Sequence, residues 1–292
     1  MASREVTSHG HKLGQMLGDW LESVFSKKLV LFAEEHDVYC DRKGLRPLVR
    51  GNKKKVTWLD NGGNEHDLDF VIEKNGSDST KGEPAAFVEL CWRRYTKHSR
   101  NKAGEIEGSL VHLGDTYNKT CTFLGAILVG EFTEGAIKQM RSRKIEVLHI
   151  PYESIVEAFR TKDIDLDYSE DAPDTQKLGL INAIKMLSDE EMGEVEQAFI
   201  LSIEDDYQEF VQKLANAISR KVQFVRIFRL FGNQVTFPSV AIAIKSIEEF
   251  TTEPHLEDFQ RFEIYIGFTN GDKVEASFKE RRDAVAFLRQ FE

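Results

Sequence analysis

The chain has 292 residues, 41% of them hydrophobic and 30% charged, a globular balance at a length that suits about two domains. Its net charge of −10 argues against a general nucleic-acid sponge, although a local basic surface remains compatible with it.

Lys12 to Glu35 reads as a helix: Leu13, Met16, Leu17, Trp20, Leu21 and Val24 recur at three- and four-residue steps and form one apolar stripe, with a break near Ser26. Arg42 to Lys55 holds seven basic residues and no acid, with Gly44, Pro47 and Gly51 among them. It reads as a loop whose mobile cations, Lys53, Lys54 and Lys55 above all, suit contact with a phosphate backbone. Val56–Leu59, a turn at 60–64 containing Asn61-Gly62-Gly63, and Asp67–Ile72 form a hairpin pattern. Pro84 then introduces a strand over Ala85–Trp92, and Ser99 is placed to cap a helix running to about Tyr117. Thr122–Val129 is a continuous apolar run, as in a strand covered on both faces. Helix at Thr133–Arg143, strand at Ile145–Ile150 and helix at Tyr152–Arg160 follow, so the pattern is an α/β layer structure.

The acidic stretch Thr161–Thr175, with Pro173, marks the expected boundary between a domain at 1–172 and one at 173–292. The first part carries 25 Lys and Arg against 28 Asp and Glu, the second 14 against 21, so excess acid collects in the C-terminal part. Gln176–Leu187 is helical, and Ser188-Asp189-Glu190-Glu191 is a capping-box pattern opening a helix towards Ser219. Two hairpin–helix units then follow, 224–250 and 262–291, giving a small α+β module suited to protein interaction or dimerisation.

Cys40, Cys91 and Cys121 are odd in number and widely spaced, which fits neither a disulfide framework nor a zinc knuckle and suits a reduced, cytosolic setting. Met1–Lys12 has no apolar signal-peptide core. No run approaches ~18 consecutive apolar residues, so no membrane span is expected. Gly-rich phosphate loops, nucleophile elbows and HExxH patterns are missing from the sequence.

The chemistry concentrates between Asp67 and Glu107. Asp67 and Asp69 are two apart and share a face if they lie on one strand. Glu89 lies on the next strand, with Phe87 and Cys91 on its face. Carboxylates from adjacent strands can meet around one hard cation, and magnesium (or manganese) needs few protein oxygens beside water and phosphate. Such an ion lowers the pKa of an attacking water and offsets charge on phosphorus. From Arg93 to Lys102 follow five basic residues, His98 and no acid.

Asp69, then Glu89 with one residue before Cys91, is similar to the PD-(D/E)xK nuclease motif. The order of elements over about residues 12–160 also resembles restriction-endonuclease-like proteins. The resemblance implies a mixed sheet flanked by helices and a magnesium-dependent DNA endonuclease of the kind used in restriction, repair or anti-phage defence. Asp69 and Glu89 would be its metal ligands, with Asp67 an extra or alternative one. The family's lysine falls on Cys91, and a thiol does not replace an ammonium. Lys102 and Lys97 are the replacement candidates, with Arg93 behind them. Glu105 would orient Lys102 or add a ligand, and Glu22 or Glu34 would supply the glutamate that the leading helix often donates. Arg93, Arg94, Arg100 and Lys53–Lys55 would contact nucleic acid; the sequence does not separate DNA from RNA. A catalytically inactive protein on the same fold, binding nucleic acid or serving as a scaffold, is the other reading, and Cys91 motivates it.

Overall fold

The computed structural model describes residues 8–96, 99–219, 221–229, 234–249, 261–269, 271 and 273–291. The chain divides into two compact units, Met1–Ala215 and Asn216–Glu292.

In the first unit, helix α1 (His9–Glu35) starts at Ser8, whose hydroxyl accepts from the His11 N–H. It continues through Ser26 without the expected break, because Val24, Phe25 and Leu29 keep the buried stripe in phase. Strands β1 (Tyr39–Arg42), β4 (Phe70–Lys74), β5 (Glu83–Arg93), β6 (Phe123–Gly130) and β7 (Glu146–Ile150) form one sheet in the order β1-β4-β5-β6-β7. The β1–β4 and β4–β5 pairs are antiparallel, while β5–β6 and β6–β7 are parallel. The parallel steps need crossovers. These are α3 (Ser99–Thr116) between β5 and β6, and α4 (Glu134–Ser142) between β6 and β7. Ala103, Ile106, Leu110 and Leu113 of α3 pack with Phe87 and Cys91 of β5 and with Ala126 and Leu128 of β6. α5 (Tyr152–Arg160) follows β7. Trp92 of β5 packs against its Tyr152, and Trp20 of α1 against its Phe159. The unit is an α/β fold with a mixed sheet flanked by helices, in general terms the restriction-endonuclease-like arrangement.

The expected domain boundary at 172/173 is displaced to 215/216. Helices α6 (Asp174–Met186) and α7 (Asp189–Ser202) belong to the first unit, α6 against α1 and α7 against α5. Phe199 of α7 meets both Trp20 and Phe25. Pro173 thus starts a helix of the same core rather than a linker. Ser188 and Glu191 make the expected reciprocal capping box. The helix it opens ends at Ser202, and a separate α8 (Glu204–Ile218) follows.

The second unit repeats hairpin–helix twice: β8 (Val222–Arg229), β9 (Val235–Phe237) and α9 (Val240–Glu248), then β10 (Phe262–Phe268), β11 (Lys273–Phe278) and α10 (Arg281–Leu288). Its antiparallel sheet runs β11-β10-β8-β9. Both helices bury apolar faces with it: Ala243, Ile244, Ile247, Ala284 and Leu288 pack with Val225, Ile227, Ile264 and Ile266. No described helix is long and apolar enough to cross a membrane.

Candidate functional site

The site forms where the chain changes sheets. β2 (Val56–Leu59) and β3 (Glu65–Leu68) make a separate hairpin, and β4 begins at Phe70 in the main sheet. Asp69 is the bend between them. Asp67 and Asp69 therefore do not lie on one continuous strand over 67–72. Buried Leu68 closes the hairpin and buried Phe70 opens β4, which turns the two aspartates to different surroundings.

Asp67 faces its hairpin partner strand. Its carboxylate accepts from the Thr57 hydroxyl at 2.7 Å and from the Lys55 ammonium, and these bonds lower its pKa, Lys55 foremost. Asp69 turns inward. The ladder between β4 and β5 runs from Phe70↔Val88 away from the bend. Just beyond its end, an Asp69 carboxylate oxygen accepts the Leu90 N–H at 2.8 Å. The same carboxylate is hydrogen-bonded to the Glu89 carboxyl.

Burial raises both pKa values. For Asp69, burial comes first, and the Leu90 and Glu89 hydrogen bonds pull back. For Glu89, burial comes first and the Asp69 charge second, which pushes it far above the usual carboxylate range. Two half-buried carboxyl groups in hydrogen-bond contact resist ionising together, and the larger rise at Glu89 favours it as the donor to Asp69.

Three further groups surround the pair. Lys102, near the start of α3, is partly exposed and acts electrostatically on Asp69, Glu89 and Cys91, favouring the ionised form of each. Its ammonium donates to Glu105 at 2.9 Å, one helical turn on. Glu22 of α1 lies close enough for its charge to raise Asp69 further. Lys43, just after β1, donates to Glu22 at 2.8 Å, and its charge also senses Asp69. The sequence reading has Lys43 only as one of the seven basic residues of the 42–55 loop, not as a neighbour of the carboxylates. Its signal was the short strand before it, which the polar Asp41-Arg42 pattern concealed.

The remaining candidates fall elsewhere. Cys91 is buried with Ala103 and Ile106 in the apolar layer under α3, and burial pushes its thiol up to about 11. The motif position is thus filled by a core side chain. Arg93 donates to the Trp92 carbonyl at 2.9 Å, and its charge acts on Cys91 and Glu105. Arg94 is held by protein: it donates to the carbonyls of Leu166 and Tyr168, with its guanidinium 3.8 Å from the Tyr168 ring centroid and 4.3 Å from that of Tyr152. Lys53, Lys54 and Lys55 are exposed on the loop before β2. Lys97 and the Arg100 side chain lie outside the described residues. Glu34 is exposed near the end of α1.

Among the described residues, no group of three or more His, Cys, Asp or Glu side chains is arranged to hold a metal ion. Asp69 and Glu89 alone form a pair of hard oxygen donors, which matches the small number of protein ligands that magnesium accepts.

No family model matches this chain, and no curated protein matches it. A solved structure, the crystal structure of the protein of unknown function AF1548, is similar over 68% of this chain and 94% of that one, at 15% identity and a TM-score of 0.31.

Proposed function

We propose that the first unit is a magnesium- or manganese-dependent DNA endonuclease of the PD-(D/E)xK type, serving restriction or defence against foreign DNA. Asp69 and Glu89 would hold the ion and Lys102 would be the catalytic cation. The observation that carries this reading is the half-buried, hydrogen-bonded Asp69–Glu89 pair within reach of the Lys102 charge. Burying two carboxyl groups against each other costs stability that a structural site would recover with amides or apolar residues. Carboxyl groups whose pKa values are raised by burial and by each other, next to a cation, support a functional site.

The bound ion would supply charge neutralisation at the phosphate and a more acidic attacking water. The chain's own groups do the rest. Asp69 and Glu89 would hold the ion as two carboxylates, with the Glu89 proton given up to solvent. Lys102 turns from Glu105 towards the scissile phosphate and stabilises charge there. Glu105 keeps the ammonium oriented between turnovers. Lys43, held by Glu22, adds positive potential on the α1 side.

A second reading rests on two observations. Cys91 occupies the lysine position of the motif, and the described residues contain no three-membered ligand group. A protein of this fold that binds nucleic acid or serves as a scaffold, without cutting, fits both. Incubating the purified chain with duplex DNA, single-stranded DNA and RNA separates the readings. Magnesium-dependent cleavage lost in Asp69→Asn supports the nuclease. Salt-dependent binding with no cleavage in magnesium or manganese supports the binding protein.

A further inference from the structure

Between β1 and β2, where the sequence reads as a loop, the chain forms the one-turn helix α2 (Pro47–Arg50) and exposes two leucines, Leu45 at 63% and Leu48 at 77% of their surface. Leaving such side chains in water forgoes the stabilisation that burial would bring. The loop that presents them is nevertheless firmly braced. Arg46 is buried and donates to both oxygens of Glu73 at 3.0 and 2.9 Å, pairs with Asp41 at 2.9 Å, and donates to the carbonyls of Ser77 and Thr80. Arg50 is tied to Asp41 and to the Gly44 carbonyl. The Gly44 N–H donates to the Lys54 carbonyl at 2.9 Å, which lays Lys54 alongside the leucine segment.

With both arginines turned inward, the exposed side chains of the segment include Leu45, Pro47 and Leu48 together with Lys53, Lys54 and Lys43, the last paired with Glu22. Exposed leucines with lysines on the same segment complement a nucleic-acid groove, where phosphate walls stand on either side of an apolar, base-edged floor. The loop begins beside the carboxylate site, since Lys43 binds Glu22 and its charge senses Asp69. That continuity favours nucleic acid over a lipid surface, which an apolar, basic tip would also suit.

We infer that residues 43–55 form a groove-entering element for duplex nucleic acid. Leu45 and Leu48 meet base edges or wedge at a base step, and Lys43, Lys53 and Lys54 take the flanking phosphates. The buried arginine–carboxylate network orders the tip before binding, so little entropy is lost on contact. This inference rests on the nucleic-acid reading above and names the substrate form as duplex.

The test is fluorescence anisotropy of a labelled duplex with the full chain, without divalent ions, across a salt series. The double variant Leu45→Ser/Leu48→Ser should bind about tenfold more weakly with an unchanged salt slope, as expected for lost apolar groove contacts. Lys53→Gln/Lys54→Gln should reduce the slope by about 1.8. All four positions are exposed, so thermal melting should match the parent. If the parent binds duplex and the leucine variant binds equally well, the inference falls and the proposed function stands. If the parent binds no nucleic acid, both fall. If the parent instead sediments with phosphatidylserine vesicles and the leucine variant does not, the tip is a lipid contact and the inference is overturned.

Discussion

The Asp69 and Glu89 carboxyl groups, both half-buried, are hydrogen-bonded just beyond the point where the β4–β5 ladder stops, and the larger upward shift at Glu89 makes it the favoured donor. The arrangement stores a proton where a divalent ion would bring two positive charges. Four expectations follow from it and from its surroundings.

Stability of the metal-free protein should fall as pH rises. The Glu89 pKa is raised in the folded state, so the unfolded chain loses this proton first, near the ordinary carboxylate value of 4.5. Below that value both states hold the proton and the site carries no penalty. Above it the penalty grows until the folded pair also ionises. Thermal melting should show Glu89→Gln level with the parent near pH 4.5 and more stable above neutrality, by on the order of 2 kcal/mol or about 5 °C. A parent melting temperature that is flat from pH 5 to 9 would contradict the shared proton.

Metal uptake should release a proton. Calorimetry with manganese in buffers of different ionisation enthalpy should give close to one proton released per ion at pH 7. Affinity should rise with pH until the pair is ionised, and Glu89→Gln should lose both the proton release and most of the affinity.

Lys102 and Cys91 should separate cleanly. Lys102→Met should lower cleavage by about a hundredfold or more while leaving DNA affinity within a few fold, since its task concerns charge that develops at the phosphate. Cys91→Ser should leave cleavage near the parent level. Cys91→Lys should destabilise the first unit by several kcal/mol, on the order of 3–5, because an ammonium would replace a thiol packed under α3. Melting and cleavage measured together distinguish these outcomes; parental stability in Cys91→Lys would refute the placement of Cys91 in the core.

The arginine brace should matter to folding more than to charge. Arg46→Met leaves Glu73 and Asp41 buried without their shared partner, which should cost about 3–5 kcal/mol. Denaturant unfolding is the measurement, and a loss below 1 kcal/mol would show that the network contributes little.

Much of the first unit was legible in the sequence because its elements follow one clear period each. The apolar run Phe123–Val129, the stripe of α1 and the paired hairpin–helix units of the second unit all appear where patterning puts them. Strand β1 was missed because its four residues include Asp41 and Arg42, and only the Asp41 ion pairs with Arg46 and Arg50 make such a strand acceptable beside β4. The bend at Asp69 was missed for a related reason. Alternation continues through it, and nothing local announces that Leu68 and Phe70 enter different sheets. The nearness of Asp69 to Glu89 was expected from adjacent strands, although Asp69 lies at the bend just beyond the end of the β4–β5 ladder. The sequence also put Lys102 and Lys97 ahead of Arg93, but how near Lys102 comes to the pair was not readable, since it depends on how α3 lies against β5.

Nicking of supercoiled plasmid in magnesium, by parent and Glu89→Gln at protein concentrations giving equal DNA occupancy, tests the Asp69–Glu89 site most directly. The parent should convert supercoiled to open-circular and linear forms, with nicking abolished by chelator, and Glu89→Gln should bind the same DNA and leave it intact. Nicking by Glu89→Gln at the parental rate, or a folded, DNA-bound parent that cuts in neither magnesium nor manganese, would contradict the assignment.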